Sequence, residues 1–277
     1  VIRTPHLDRL AAAGVRFQTA VTPYPVCMAA RSALLSGQYN RTCTGGVSNV
    51  CYPSPEGEVF FPQYPAPGRP HLKDRTLPEV LRDHGYHTAA IGKWHIHAWP
   101  HDVGFDRYLI PRVNHCHRGQ SYTEDGHIEF VPEGWSVDFE ADQLARFLQS
   151  RARERQPFFM YYNISPPHCP LADAPEAHLT MYDPETVPIR PNVDLSRPLA
   201  NQDHWFSVYR WDFRYYNHHL PDTVSLPEGY GLRHVIAEYY GLTTWMDAAV
   251  GRMLDALDAA GLAGNTIVVF TSDHGDN

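Results

Sequence analysis

The sequence predicts an α/β fold, a mostly parallel central sheet with helices on both faces, and three observations carry that prediction. Short apolar runs that suit buried strands alternate with amphipathic stretches that suit helices, the pattern of a sheet covered on both sides. Three of the apolar runs end in polar clusters, at Lys93 and His95, at His168, and at Asp273 with His274. Ligands of open α/β sheets bind outside the carboxyl ends of the strands, so these clusters are expected to converge at one sheet edge. The 24 prolines among 277 residues further indicate long, ordered, irregular loops between the regular elements.

In chain order, Thr4-Pro5 opens a helix ended by Gly14, with Thr4 as N-cap and Pro5 at the first helical position. Val15-Arg16-Phe17 reads as a short strand. Pro23 and Pro25 keep the next stretch extended, so a helix is expected to begin near Cys27 and to run to Gly37. Residues 40–71 are rich in Gly, Pro and Ser, a loop too long for a plain connector and therefore expected to shape a binding site. Thr76-Leu77-Pro78-Glu79 is a capping box for a helix from Leu77 to His84, stopped by Gly85. Tyr86 to Ile91 forms the strand that ends in Gly92-Lys93-Trp94-His95.

Residues 98–135 are read as irregular. Val137 to Arg155 carries apolar residues at 137, 141, 144, 147 and 148, a helical stripe. Pro157 to Tyr162 suits a buried strand and leads into Ser165-Pro166-Pro167-His168. Residues 170–230 lack a clear period and are read as an insertion wrapping the domain. Leu232 to Ala260 is a long amphipathic helix followed by Gly261. Thr266 to Thr271 gives the clearest buried strand, before Ser272-Asp273-His274.

Composition narrows the function. The hydrophobic share of 43% and charged share of 19% are those of an ordinary globular chain with material for a sizeable core. A net charge of -8 with no basic run argues against a nucleic-acid surface, and no transmembrane run is visible. The five cysteines form no CxxC pair, which disfavours a zinc ribbon; Cys43 and Cys51 are open to a short loop disulfide or to two thiols. Localisation stays open between the cytoplasm and the periplasm or exterior.

The chemistry centres on Cys27 and Arg31, four residues apart and so on one face of a helix. A nucleophile precursor at a helix N-terminus with a guanidinium one turn on suits a tetrahedral oxyanion. Taken singly, each candidate has a bland alternative: Cys27 a small buried hydrophobe, Lys93 a solvated charge, His95 and His168 loop histidines, Asp273-His274-Gly275 a turn. Their shared position at strand ends favours the functional reading.

With these segments in hand the chain resembles the sulfatase family of the alkaline-phosphatase superfamily. TPHLDRLAAAGVRF, PVCMAARSALLSGQY, TLPEVLRDHGYHTAAIGKWH, SPPH and NTIVVFTSDHGDN occur in the family's order, and CMAAR looks like its signature, with Ala30 where Ser is common. The resemblance implies that a formylglycine-generating enzyme oxidises Cys27 to formylglycine. Its hydrated form would attack the sulfur of a small-molecule or carbohydrate sulfate ester, giving a covalent sulfated intermediate. Arg31 would hold the gem-diol, His95 would orient it and assist its deprotonation, and Lys93 and His168 would bind sulfate, His168 also protonating the leaving alcohol.

Position 27, Asp273 and His274 would hold a divalent metal, in this family usually Ca2+. A histidine is an awkward ligand for so hard a cation, so His274 would act through a hydrogen bond or accept a different divalent metal. The resemblance implies that residues 1–277 form the N-terminal catalytic portion of a longer enzyme. A first strand ending in paired aspartates would lie before Val1, and a lysine and a small subdomain beyond Asn277, so this portion alone is expected to be inactive. The alternatives are a phosphonate monoester hydrolase or phosphodiesterase of the same superfamily, and a non-catalytic sulfatase-like protein in which Cys27 stays a thiol.

Overall fold

A computed structural model describes residues 2–47, 52–53, 59–60, 68–112, 116–196, 202–203, 206, 210 and 226–275. Its centre is a five-stranded sheet of β3 (His87–Gly92), β4 (Arg107–Pro111), β5 (Tyr122–Glu124), β6 (Ile128–Phe130) and β7 (Phe158–Asn163), in the order β6-β5-β4-β3-β7. A separate antiparallel pair, β1 (Tyr52–Pro53) with β2 (Val59–Phe60), lies in the loop after residue 40. β3 runs parallel to both β4 and β7, while β4-β5 and β5-β6 are antiparallel. The sheet is thus mixed, and its parallel part is the part that ends in Lys93 and, two residues past β7, in the Ser165–His168 segment.

Strand side chains alternate faces, and the core follows that alternation. Ala90, Tyr108 and Ile110 pack with Ala33 and Leu35 of α2 (Cys27–Ser36) and with Trp94 and Phe105. Ile91 and Leu109 point the other way, onto Leu144 and Leu148 of α5 (Ser136–Arg151) and Leu257 of α7 (Leu232–Ala259). Helices therefore cover both faces. A third apolar cluster, around Leu242 and Trp245, joins α7 to Val137 and Ala141 of α5 and to Leu171.

Most helix boundaries follow from capping chemistry. α1 (Pro5–Ala13) starts at a proline as expected, but the Thr4 side chain makes no cap bond. Its place is taken by Asp247 of α7, whose carboxylate accepts the His6 and Leu7 amides at 3.1 and 2.8 Å. α2 ends at Gly37 in the left-handed conformation, φ 66°. α4 (Leu77–Asp83) opens where the Glu79 carboxylate accepts the Thr76 amide at 2.8 Å. α3 (Asn40–Cys43) and α6 (Glu176–Leu179) are single short turns.

Three expectations need correction. Residues 98–135 are not irregular throughout: β4, β5 and β6 lie there, β5 and β6 joined by Asp125-Gly126, whose positive φ of 51° and 75° makes the tight turn. Val15-Arg16-Phe17 is no strand, and Val15 and Phe17 are exposed. The Thr266–Thr271 run, read as the clearest buried strand, pairs with no strand among the described residues, and Ile267 is 92% exposed. Apolar β-branched residues favour extended backbone, but a ladder also needs a neighbouring strand for its N–H and C=O groups. The second half of the 170–230 stretch and Cys51 fall largely or wholly outside the described residues; Cys43, Cys116 and Cys169 form no disulfide among them. No helix among the described residues is long and apolar enough to cross a membrane.

Candidate active site

The end of β3 fixes the first cation. Gly92 has φ +87°, and a Cβ there would stand 2.1 Å from the Asn163 carbonyl, so only glycine lets β3 and β7 close together. The next residue, Lys93, donates its amide to that same carbonyl at 3.0 Å and turns inward. Its side chain is 2% exposed, and Nζ donates to the Cys27 sulfur at 3.5 Å. Two residues on, His95 takes a positive φ of 46°, costly for a residue with a Cβ, and is likewise buried.

Cys27 is the first residue of α2, and Arg31 follows one turn later on the same face. The buried Arg31 guanidinium donates through one terminal nitrogen to the Lys93 carbonyl and to Asn163 Oδ1, both at 3.0 Å. Its Nε lies 2.9 Å from Asp273 Oδ2 as an ion pair. The two atoms are not aligned as a hydrogen bond, so Asp273 Oδ2 is buried without a hydrogen-bond partner. His274 brings Nε2 to 3.1 Å from Cys27 Sγ, while its amide donates to Asp273 Oδ1 at 3.0 Å. His168 places Nδ1 2.6 Å from the Cys169 carbonyl and hydrogen-bonds the Cys27 sulfur.

The electrostatics follow from this crowding. Burial raises the Cys27 thiol, but the Lys93 charge and hydrogen bonds from His168, His274 and His95 outweigh it and hold the thiol far below its ordinary value. Hydrogen bonding to that sulfur lifts His274 to about 9. Burial opposes ionisation of Asp273, yet the Arg31 and Lys93 charges leave it below the usual carboxylate range. Burial depresses Lys93 and His95. Position 27 thus sits in a pocket of fixed cations and donors, the environment an oxyanion or a doubly anionic group needs.

All seven residues singled out in the sequence — Cys27, Arg31, Lys93, His95, His168, Asp273 and His274 — meet around one sulfur atom. Ligand atoms of Cys27, Asp273 and His274 lie within 4.8 Å of one another, a grouping able to hold a metal ion. Asp273 Oδ2 makes no aligned hydrogen bond, and the carboxylate, ion-paired to Arg31, supplies the one oxygen donor of that grouping. Sequence reasoning missed Asn163, which anchors Arg31; its position as the last residue of β7, a polar group ending an apolar run, was the available signal. It also missed Tyr161, whose phenol hydrogen-bonds Arg31. A cavity of about 460 Å3 opens on the α5 face of the sheet beside Ile91, Leu109 and Phe147, and none of the seven residues lines it.

Comparison with known proteins bears on this geometry. The family model described as Sulfatase matches residues 1–277. The chain is 28% identical over 284 residues to an ulvan-active sulfatase of Formosa agariphila, covering 99% of this chain and 46% of that protein. It is 26% identical over 326 residues to the N-acetylglucosamine-6-O-sulfatase of Bacteroides thetaiotaomicron, covering 99% of this chain and 54% of that protein. Among solved structures, the Bacteroides fragilis protein yidJ, described as a sulfatase, superposes with a TM-score of 0.69 at 26% identity, over 99% of this chain and 57% of that one. The chain spans about half the length of the relatives it matches.

Proposed function

The chain belongs to the sulfatase family, and we propose that it forms the catalytic part of a sulfuric ester hydrolase whose nucleophile is formylglycine made from Cys27. The observation that carries this reading is the convergence of Lys93, His168 and His274 on the Cys27 sulfur, with Arg31 one helical turn behind it. A cysteine retained for packing alone would not gather so many charged and hydrogen-bonding groups at its sulfur.

In this reading a formylglycine-generating enzyme, drawing on an external oxidant, oxidises the Cys27 side chain by two electrons, so that the C–S bond breaks, sulfur leaves as sulfide and an aldehyde forms, which hydrates to a gem-diol. Arg31, fixed by Asn163 and Asp273, holds the diol, and His95 orients it and assists removal of a hydroxyl proton. That oxygen attacks sulfur; the ester S–O bond breaks, and His168 gives its proton to the departing alcohol. Lys93 neutralises charge on the sulfate oxygens. The second diol hydroxyl then loses its proton, its oxygen re-forms the aldehyde, the C–O bond to sulfur breaks, and sulfate leaves. Position 27, Asp273 and His274 would hold a divalent cation, Ca2+ or one more tolerant of nitrogen, and its positive charge would favour ionisation of the diol.

The named relatives act on ulvan and on an N-acetylglucosamine sulfate, and a carbohydrate sulfate ester is the substrate class we assign to this chain. The test is turnover by the full-length protein, produced with a formylglycine-generating enzyme, on matched sulfate, phosphonate monoester and phosphodiester substrates. Preference for sulfate, abolished in Cys27→Ala, is the expected result. Preference for phosphonate would give the chain to the neighbouring hydrolase class, and an inactive protein with an intact thiol would make it a binding protein.

A further inference from the structure

The cavity of about 460 Å3 on the α5 face of the sheet takes no part in the chemistry above. His87 and Arg107, the first residues of β3 and β4, stand in its wall, so it extends to the strand starts, the end opposite Lys93 and His168. Its size is that of a small-molecule pocket, and two features of the sequence make it. On the sheet side β3 contributes Ala89, a small buried residue that leaves the space a larger one would fill. On the helix side Phe139, Gln143, Arg146, Phe147 and Ser150 recur at three- and four-residue spacing along α5. A stripe that only packed on a sheet would be apolar throughout. This one sets an amide, a guanidinium and a hydroxyl over the cavity.

The lining divides by chemistry. Phe130 and Phe139 meet edge to face at 5.9 Å, and Phe147 stacks on His87 at 6.0 Å, giving an aromatic wall. The Arg151 guanidinium carbon lies 5.8 Å from the Phe147 ring centre, and Arg151 Nε is buried without a hydrogen-bond partner. Asp142, one turn before Arg146 and the partner that spacing favours, pairs with Arg252 instead, as does Asp138. Among the described residues no carboxylate lies within ion-pair distance of Arg146 or Arg151. Arg107, by contrast, is answered by Glu124 at 3.1 Å and Asp125 at 2.6 Å. Three guanidiniums thus share the wall with one carboxylate, Glu124, in a chain whose net charge is -8. That excess reaches the inner wall, where burial and the Arg151 and Arg107 charges hold His87 below its ordinary value in spite of Asp106.

We propose that this cavity binds a small aromatic carboxylate, its ring against the phenylalanines and its carboxylate on the Arg146 and Arg151 guanidiniums. A planar carboxylate matches a guanidinium through two parallel hydrogen bonds, and the aromatic wall supplies the apolar area that a bare inorganic anion could not use. This is a second ligand site, and it stands or falls independently of the sulfatase reading.

Calorimetric titration of the full-length protein with 2-naphthoate tests it. A Kd of about 1 mM or tighter is expected for a ligand of this size. Acetate, which has the charge without the ring, and 2-naphthylmethanol, which has the ring without the charge, should each bind about tenfold or more weakly than naphthoate. Arg146→Gln and Arg151→Gln should each weaken naphthoate by about tenfold or more, and Ala89→Leu, which fills the space and removes no charge, should do the same. Melting temperatures show which variants are folded, and the two arginine variants on the outer part of α5 carry the test if Ala89→Leu is not. Absence of naphthoate binding, equal binding of the uncharged analogue, or affinity unchanged in both arginine variants would overturn the proposal. So would naphthoate that competes with 4-nitrophenyl sulfate for turnover and binds both arginine variants as it binds wild type, since it would then occupy the site at position 27.

Discussion

At the scale of residues, the site is organised by one sulfur atom and the cations held against it. Arg31 matters through its planar fork, which spans the Lys93 carbonyl, Asn163 Oδ1 and Asp273 at once. A lysine would keep the charge and lose that span. Arg31→Lys should therefore lower kcat by about 100-fold while leaving the fold intact, and steady-state kinetics with circular dichroism would check both halves. Glu140 makes a separate, non-catalytic prediction. Burial raises its carboxyl from 4.5 to about 8, so its contribution to stability is complete below the lower value and is lost as pH rises through the upper one. Thermal melts should show wild type losing more stability than Glu140→Gln between pH about 5 and about 8; parallel curves would contradict the burial argument.

The clustering of the seven candidate residues is legible in the sequence because each sits in a short local pattern: a cysteine and arginine one turn apart, or polar residues just past an apolar run. Asn163 and Tyr161 were not, because residues inside or ending an apolar strand read as core until their neighbours are known.

At the scale of elements, the β3–β7 junction sets the precision of the site. Lys93, Arg31 and Asn163 are tied together at the point where Gly92 lets the two strands touch. Gly92→Ala meets both a backbone carbonyl and a positive φ, and should destabilise the protein by roughly 3 kcal/mol. It should also lower turnover beyond what reduced folding explains, because Lys93 moves with the strand end; a specific activity corrected for folded fraction by denaturation would tell. Helices were readable from capping residues and apolar stripes, which act locally. Strands were less so. Thr266–Thr271 has the composition of a buried strand and no ladder among the described residues, whereas β5 and β6 are three residues each, too short for a period, and depend on the turn at Asp125-Gly126.

At the scale of the whole molecule, the sheet delivers Lys93 and His168 to one edge, α2 brings position 27 there, and Asp273-His274 closes the cluster. The metal grouping within the described residues offers one carboxylate, from Asp273. Calcium sites of useful affinity gather six to eight oxygens, so calorimetric titration of the 277-residue chain with Ca2+ should show only weak binding, and tight stoichiometric binding would contradict the proposed ligand set. The fold class was open to sequence reasoning because alternation of elements is a global pattern. The antiparallel edge was not, since strand direction depends on connections through the 98–135 stretch.

The central claim is the conversion of Cys27, and mass spectrometry of the peptide spanning position 27, from full-length protein made with a formylglycine-generating enzyme, tests it directly. The account predicts a mass about 18 Da below that of the thiol form, as expected when CH2–SH becomes an aldehyde. An unmodified thiol in a protein that still hydrolyses sulfate esters would contradict it.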